Sequence, residues 1–167
     1  MDGPHLPQRR KWSLCKWWQN SQTFKQMRYI LDTCIMLYML NETGEMSDDV
    51  EAIVTDYGNN LCMCAASVRE LVAAWHKYSS MQRKWKSPAY MLDYLRDRYG
   101  VTTLYPQREH YATFIGLQWN EAEDHRDTTD ILIIAHAITE KLALISSDRK
   151  FKFYTAQGLD FIYNKKQ

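Results

Sequence analysis

No window of the 167 residues approaches the roughly 18 apolar residues of a membrane span, and the basic start lacks a signal peptide's apolar stretch. A cytoplasmic protein with no membrane partner is the expectation. One-sided charge is missing too: 21 Lys and Arg against 20 Asp and Glu leave a net charge of +1. Any attraction to nucleic acid must then come from local patches. Neither a P-loop nor a G-x-G-x-x-G turn occurs, which disfavours an enzyme built on a nucleotide cofactor. Of the four cysteines, Cys15, Cys34, Cys62 and Cys64, the last two form a C-x-C pair, but no second pair and no His at ligand spacing follows. All four read as reduced thiols, with Cys62 and Cys64 in the buried strand Leu61-Cys62-Met63-Cys64 rather than in half a zinc site.

What is present is 46% apolar residues, enough for one α/β domain with a real core. Residues 1–26, with Pro4, Pro7, Arg9-Arg10-Lys11, Trp12, Trp17 and Trp18, show no sustained period. They read either as an arm that adheres to RNA or a partner, or, by preference, as the product of an early assigned start. The fold is expected to begin at Met27. Arg28 to Leu31 is a β-prone run ending at Asp32, and Ile35 to Leu40 reads as buried helix. Ser47-Asp48-Asp49 opens a second helix that ends near Tyr57-Gly58. Leu61 to Cys64 is the second strand, and Ser67-Val68-Arg69-Glu70 fits the S-x-x-E capping box of the next helix. Ser87-Pro88 and Gly100 bracket a further helix. Val101 to Leu104 is the third strand, stopped by Pro106, with a helix over 107–117 after it. Asp127-Thr128-Thr129-Asp130 starts a helix carrying Ile131, Ile134, Ala135 and Ile138 at helical spacing. Leu142 to Ile145 is the fourth strand, a short helix runs from Asp148 to Gly158, and Phe161 to Tyr163 is the last strand. Strands alternating with helices predict an α/β fold, a mostly parallel sheet with helices on both faces, whose sites lie beyond the carboxyl ends of the strands.

Three acids meet that rule: Asp32 ends the first strand, Glu70 opens the helix after the second, and Asp148 follows the fourth. Asp130 joins them if its helix starts at the same rim. Two carboxylates about 4 Å apart repel by about 4 kcal/mol at an effective dielectric near 20. Several such pairs rival the roughly 5–15 kcal/mol that holds a domain folded. Protonation or a bound cation must relieve them. Hard oxygen ligands favour Mg²⁺ or Mn²⁺, and an ion so placed suits phosphodiester cleavage. Each acid also has a structural reading. Asp32 fits a helix cap, Asp148 a strand-end turn residue, and Glu70 a capping-box partner of Ser67, which wins on spacing alone. Of the pair three apart, Asp127 takes the cap and Asp130 the ligand role. For RNA, Trp75-His76-Lys77-Tyr78 and Arg83-Lys84-Trp85-Lys86 interleave cations with rings, against the alternative of a solvated helix end and loop. Arg149, Lys150 and Lys152 beside Asp148 are better placed to steer phosphate. His125 and His136 read as a loop residue and a helix-surface or core residue rather than as catalytic bases.

The segments Met27 to Leu40 (MRYILDTCIMLYML), Ser67 to Leu71 (SVREL) and Asp127 to Phe151 (DTTDILIIAHAITEKLALISSDRKF) resemble the PIN-domain ribonucleases, and among them the VapC-type toxins of toxin–antitoxin pairs. The resemblance covers about residues 27–163 and makes 27–167 the PIN domain. It implies a three-layer α/β/α fold and a Mg²⁺- or Mn²⁺-dependent endoribonuclease. It also implies a cognate antitoxin, whose C-terminal segment lies across the acidic groove, and a homodimer. By position it assigns Asp32, Glu70, Asp130 and Asp148 as the catalytic and metal-holding acids. Thr33, Asp127 and Ser147 are expected to support them, and Arg149, Lys150, Lys152, Lys84 and Trp85, read from the local pattern of cations and rings, are the candidates for contacting RNA. The sequence departs from the pattern at Cys34, where Asn is usual, at Thr128-Thr129 in place of a Pro-aromatic pair, and at Ile131 in place of Arg. These changes remove an amide and a cation near the site. A non-cleaving module that binds RNA or an antitoxin peptide is therefore the alternative, although all four acids are kept. A phosphoacceptor Asp domain is disfavoured, because position 34 is Cys and not a second Asp.

Overall fold

Three short, largely buried strands flanked by two more exposed edge strands carry this chain, whose computed structural model describes residues 27–165. The expectations placed on residues 1–26 lie outside them. In chain order the elements are β1 (Arg28–Leu31), α1 (Thr33–Asn41), α2 (Asp48–Thr55), β2 (Asn60–Cys64), α3 (Ala65–Lys77), α4 (Ser79–Lys84) and α5 (Pro88–Tyr99). Then follow β3 (Thr102–Leu104), α6 (Arg108–Gly116), a 3-10 turn (Glu121–Glu123), α7 (Thr128–Glu140), β4 (Ala143–Ser146), a 3-10 helix (Arg149–Gln157) and β5 (Asp160–Tyr163).

All neighbouring strands pair in parallel, in the order β3-β2-β1-β4-β5. Central strands of such a sheet are covered on both faces, which is why β1 and β4 are near-continuous apolar runs. Alternation divides the core in two. Tyr29, Leu31, Leu61, Met63, Ala143 and Ile145 pack with α1, α2, α3 and α5, while Ile30, Cys64 and Leu144 pack with α7, Phe151 and Tyr154. The result is the three-layer α/β/α arrangement, with the sheet fully parallel. Cys34, Cys62 and Cys64 are free thiols. No helix among the described residues is long and apolar enough to cross a membrane.

Two local readings need correction. Helix α3 starts at Ala65, with the Cys64 sulfur accepting from the Ala66 amide at 3.4 Å, so Ser67 lies inside the first turn and forms no capping box with Glu70. The segment read as loop before Trp85 is partly the helix α4, and Trp85 is 2% exposed, its ring centroid 4.8 Å from that of Tyr94. A ring so enclosed has no face for a base, so Trp85 does not contact RNA. Lys84 is exposed and its ammonium lies over the Trp85 ring.

Candidate functional site

The chain runs outward from β1 to β2 and β3, then crosses back to β4 on the other side of β1. Strand order therefore reverses between β1 and β4, and a crevice opens at their carboxyl ends, the place where ligands bind such sheets. Asp32 leaves β1 at that crevice. Its backbone amide still pairs with the Ile145 carbonyl at 3.1 Å, and its Oδ1 accepts from the Thr33 amide at 2.6 Å, capping α1. Its Oδ2 takes the Ser146 hydroxyl at 2.6 Å and the Cys34 thiol at 3.0 Å. Three donors thus occupy three of roughly four lone-pair positions, which leaves one for a cation. The cap and site readings of Asp32 coexist in one side chain.

Thr33 links the next acid. Its hydroxyl donates to Oε2 of Glu70, which projects from the second turn of α3. Asp127 caps α7 through the Thr129 amide at 2.8 Å and is exposed. Asp130, in the first turn of α7, accepts at Oδ2 from Nε2 of His125 at 2.9 Å. His125 reaches there because the backbone turns back at Asp124 (φ 51°), where the His125 amide bonds to the Asn120 carbonyl. Its ring packs against Phe151 and Tyr154, 5.2 and 5.6 Å between centroids. Asp148 caps the following 3-10 helix through the Lys150 amide at 2.9 Å. One donor atom each from His125, Asp130 and Asp148 lie within 4.8 Å of one another, a spacing that can hold a metal ion.

Asp32 and Glu70 fall outside that 4.8 Å set and meet it only through the charge of the crevice. Burial pushes the Asp32 carboxyl above its ordinary value; Asp130 adds to the rise, while Ser146, Cys34 and Thr33 oppose it. Burial also raises Glu70, with Asp127 and Asp32 adding and the Thr33 and Thr129 hydroxyls opposing. Asp130 is raised by burial, then by Asp127 and Glu70, and is held down in part by His125. Asp32, Glu70 and Asp130 therefore sense one another's charge, and Asp148 meets them through Asp130. The carboxylate oxygens of the set fit a hard divalent cation, and His125 can join them as a softer ligand only by giving up the Nε2 proton that it shares with Asp130.

Several contributors were not visible in the sequence. The sequence places His125 in a loop, and no periodic pattern ties it to Asp130. The hydroxyl that reaches Asp32 belongs to Ser146; Ser147 instead accepts from Asn164 Nδ2 at 2.7 Å, its amide donating to the Cys34 sulfur at 3.5 Å. Asn164 is fully buried and also receives the Ser47 amide, tying β5 to the start of α2. Of the departures from the pattern, Ile131 is fully buried in the core, Cys34 keeps a hydrogen bond to Asp32, and Thr129 accepts from exposed Arg69, a cation at the same rim. Burial and Asp32 push the Cys34 thiol up to about 12, so it stays a proton donor. Arg149 and Lys152 are exposed and Lys150 is half-buried beside Asp148.

The model of the PIN domain matches residues 29–156. Among solved structures, a chain of VapBC2 from Rickettsia felis, solved bound to a DNA fragment from their promoter, superposes with a TM-score of 0.64 at 20% identity, over 83% of this chain and 100% of that one. VapBC-1 from nontypeable Haemophilus influenzae gives 0.58 at 20% identity, covering 82% and 98%. VapBC-5 from Mycobacterium tuberculosis, a member of the VapBC family of toxin-antitoxin systems, gives 0.57 at 19% identity, covering 81% and 98%. At these identities the likeness is one of fold. No curated protein matches the chain.

Proposed function

The chain belongs to the PIN-domain family, and from that membership we propose that it is a Mg²⁺- or Mn²⁺-dependent endoribonuclease, the VapC-type toxin of a toxin–antitoxin pair. The observation that carries the reading is the spacing of His125, Asp130 and Asp148, which can hold a metal ion, in the same crevice as the carboxyls of Asp32 and Glu70, both raised chiefly by burial. Asp130 and Asp148, with His125 beside them and the remaining lone pair of Asp32, would hold the ion. When bound, it supplies polarisation of a phosphodiester oxygen and acidification of a water.

The protein's own groups do the rest. Glu70 is oriented through Oε2 by the Thr33 hydroxyl and would take the proton of the attacking water. Its raised pKa brings it nearer the operating pH, where a general base works best. Ser146, Cys34 and the Thr33 amide hold Asp32 in one orientation, so no reorganisation is needed as charge develops. Arg149 and Lys150 follow Asp148 directly and are positioned to neutralise phosphate. A cognate antitoxin, a homodimeric state and a cytoplasmic location are parts of the same proposal; the VapBC names of the similar structures support the first.

Cleavage of RNA should require Mg²⁺ or Mn²⁺ and stop with EDTA. Asp130→Asn and Glu70→Gln should each lower kcat by about a hundredfold or more. Cutting that is indifferent to EDTA and to both substitutions would refute the proposal. A silent Mn²⁺ titration of the folded chain would favour the non-cleaving binding module instead.

A further inference from the structure

A groove of about 1030 Å³ opens beside Asp148, lined in part by Arg149, Lys150, Lys152, Phe153, Phe161 and Tyr163. Glu123 is the single acid in its lining. None of the three cations enters an ion pair among the described residues. The aromatic wall comes from β5, where Phe161 and Tyr163, two residues apart, share a face with ring centroids 6.3 Å apart and planes inclined at 51°. Phe153 and Tyr163 are 42% and 46% exposed, so large apolar area is left in water there. Strand pairing sets Tyr163 level with Ser146, the residue that holds Asp32, so the wall extends to the rim where the acids stand.

We propose that this groove binds a single-stranded RNA segment adjoining the cleaved bond, with Phe153 and Tyr163 stacking on unpaired bases and Arg149, Lys150 and Lys152 following the phosphates. Each nucleotide repeats one planar base and one anionic phosphate, and the groove's interleaved rings and unpaired cations match that repeat. Segment 1–26 of the chain fits poorly, because Arg9, Arg10, Lys11, Lys16 and Lys25 stand against Asp2 and carry the groove's own sign. An acidic peptide matches the charge but not the base-and-phosphate repeat. The assignment rests on the ribonuclease reading only for where the strand continues, not for the chemistry of the groove.

Binding of a short unstructured fluorescent oligoribonucleotide to the full chain in EDTA separates the two. Phe153→Ala with Tyr163→Ala, both at exposed positions, should weaken binding about tenfold or more with unchanged thermal melting. Lys150→Gln with Lys152→Gln should flatten the salt dependence. A 5-iodouridine oligomer should crosslink within residues 149–163. Unchanged affinity in both double variants, with crosslinks only elsewhere, overturns the proposal. So does loss of binding to a Glu- and Trp-containing peptide while RNA binding is intact. If the aromatic variant still cuts long RNA with wild-type KM, the groove assignment falls and the nuclease stands. If the wild type cuts no RNA with Mn²⁺ while the groove variants still lose RNA binding, the nuclease reading falls and the groove stands.

Discussion

At Asp130, burial disfavours the charge that His125 favours, and Asp127 and Glu70 add to the penalty. The sign of the pH dependence follows. A carboxyl whose folded pKa is raised loses protons first in the unfolded chain, so its favourable contribution is full below the unfolded value of about 4 and is lost as pH rises through the folded value. Asp130→Asn keeps an oxygen for His125 and removes the charge. In EDTA the variant should melt above the wild type at neutral pH, with the gap closing as pH falls towards the ordinary carboxylate range; calorimetric scans across pH test this, and a gap that widens on acidification contradicts it. Asp130 stands out in the sequence only through the order of the acids along the chain, because an acid three after another at a helix start also fits a cap and its first-turn partner. Ser146 does not stand out. The resemblance points to Ser147, the hydroxyl beside Asp148, but β4 runs on through Ser146, and it is the Ser146 side chain that turns to Asp32. His125 depends on the turn at Asp124 and on the aromatic pair behind its ring, neither of which leaves a spacing to find.

Among elements, α5 shows what capping chemistry makes legible. Ser87 accepts from the Tyr90 amide at 3.2 Å, Pro88 opens the helix, and Gly100 closes it at φ 72°, donating to Arg96 and Leu95 carbonyls. A Cβ at Gly100 would meet nothing within 4 Å, so only backbone strain opposes one. Gly100→Ala should therefore cost about 1–2 kcal/mol, and Gly100→Asn less, in urea unfolding, with Mn²⁺ affinity unchanged because the turn lies away from the acids. A cost near zero would mean that the loop relaxes out of the left-handed conformation. Where caps are unusual, legibility failed. Strand β2 runs straight into α3 with a thiol as its cap, so the first conventional signal, Ser67, fell two residues inside the helix. Helix α4 has no side-chain cap at all.

For the whole molecule, the alternation of strands and helices is enough to require a parallel sheet, but strand order is a property of long-range packing that no local pattern encodes. That order makes the crevice: placing β4 beside β1 brings Ser146 and Asp148 to Asp32, more than a hundred residues away in sequence. Acids from β1's end, α3, α7 and the cap of the 3-10 helix then face one crevice, with Asp130 and Asp148 close enough to share an ion, so such an ion binds only the folded chain. Linkage makes the consequence quantitative. At a hundred times its dissociation constant, a ligand of the native state adds about 2.7 kcal/mol, which for a domain of this size is a rise of roughly 5–11 °C in Tm. Mn²⁺ should produce such a rise near neutral pH, and a much smaller one in Asp130→Asn, which has already shed the repulsion the ion relieves. Differential scanning calorimetry against Mn²⁺ concentration reads both. An equal rise in wild type and variant would mean that the ion binds elsewhere, and the raised carboxyls would then be a purely structural cost of closing the sheet around its switch point.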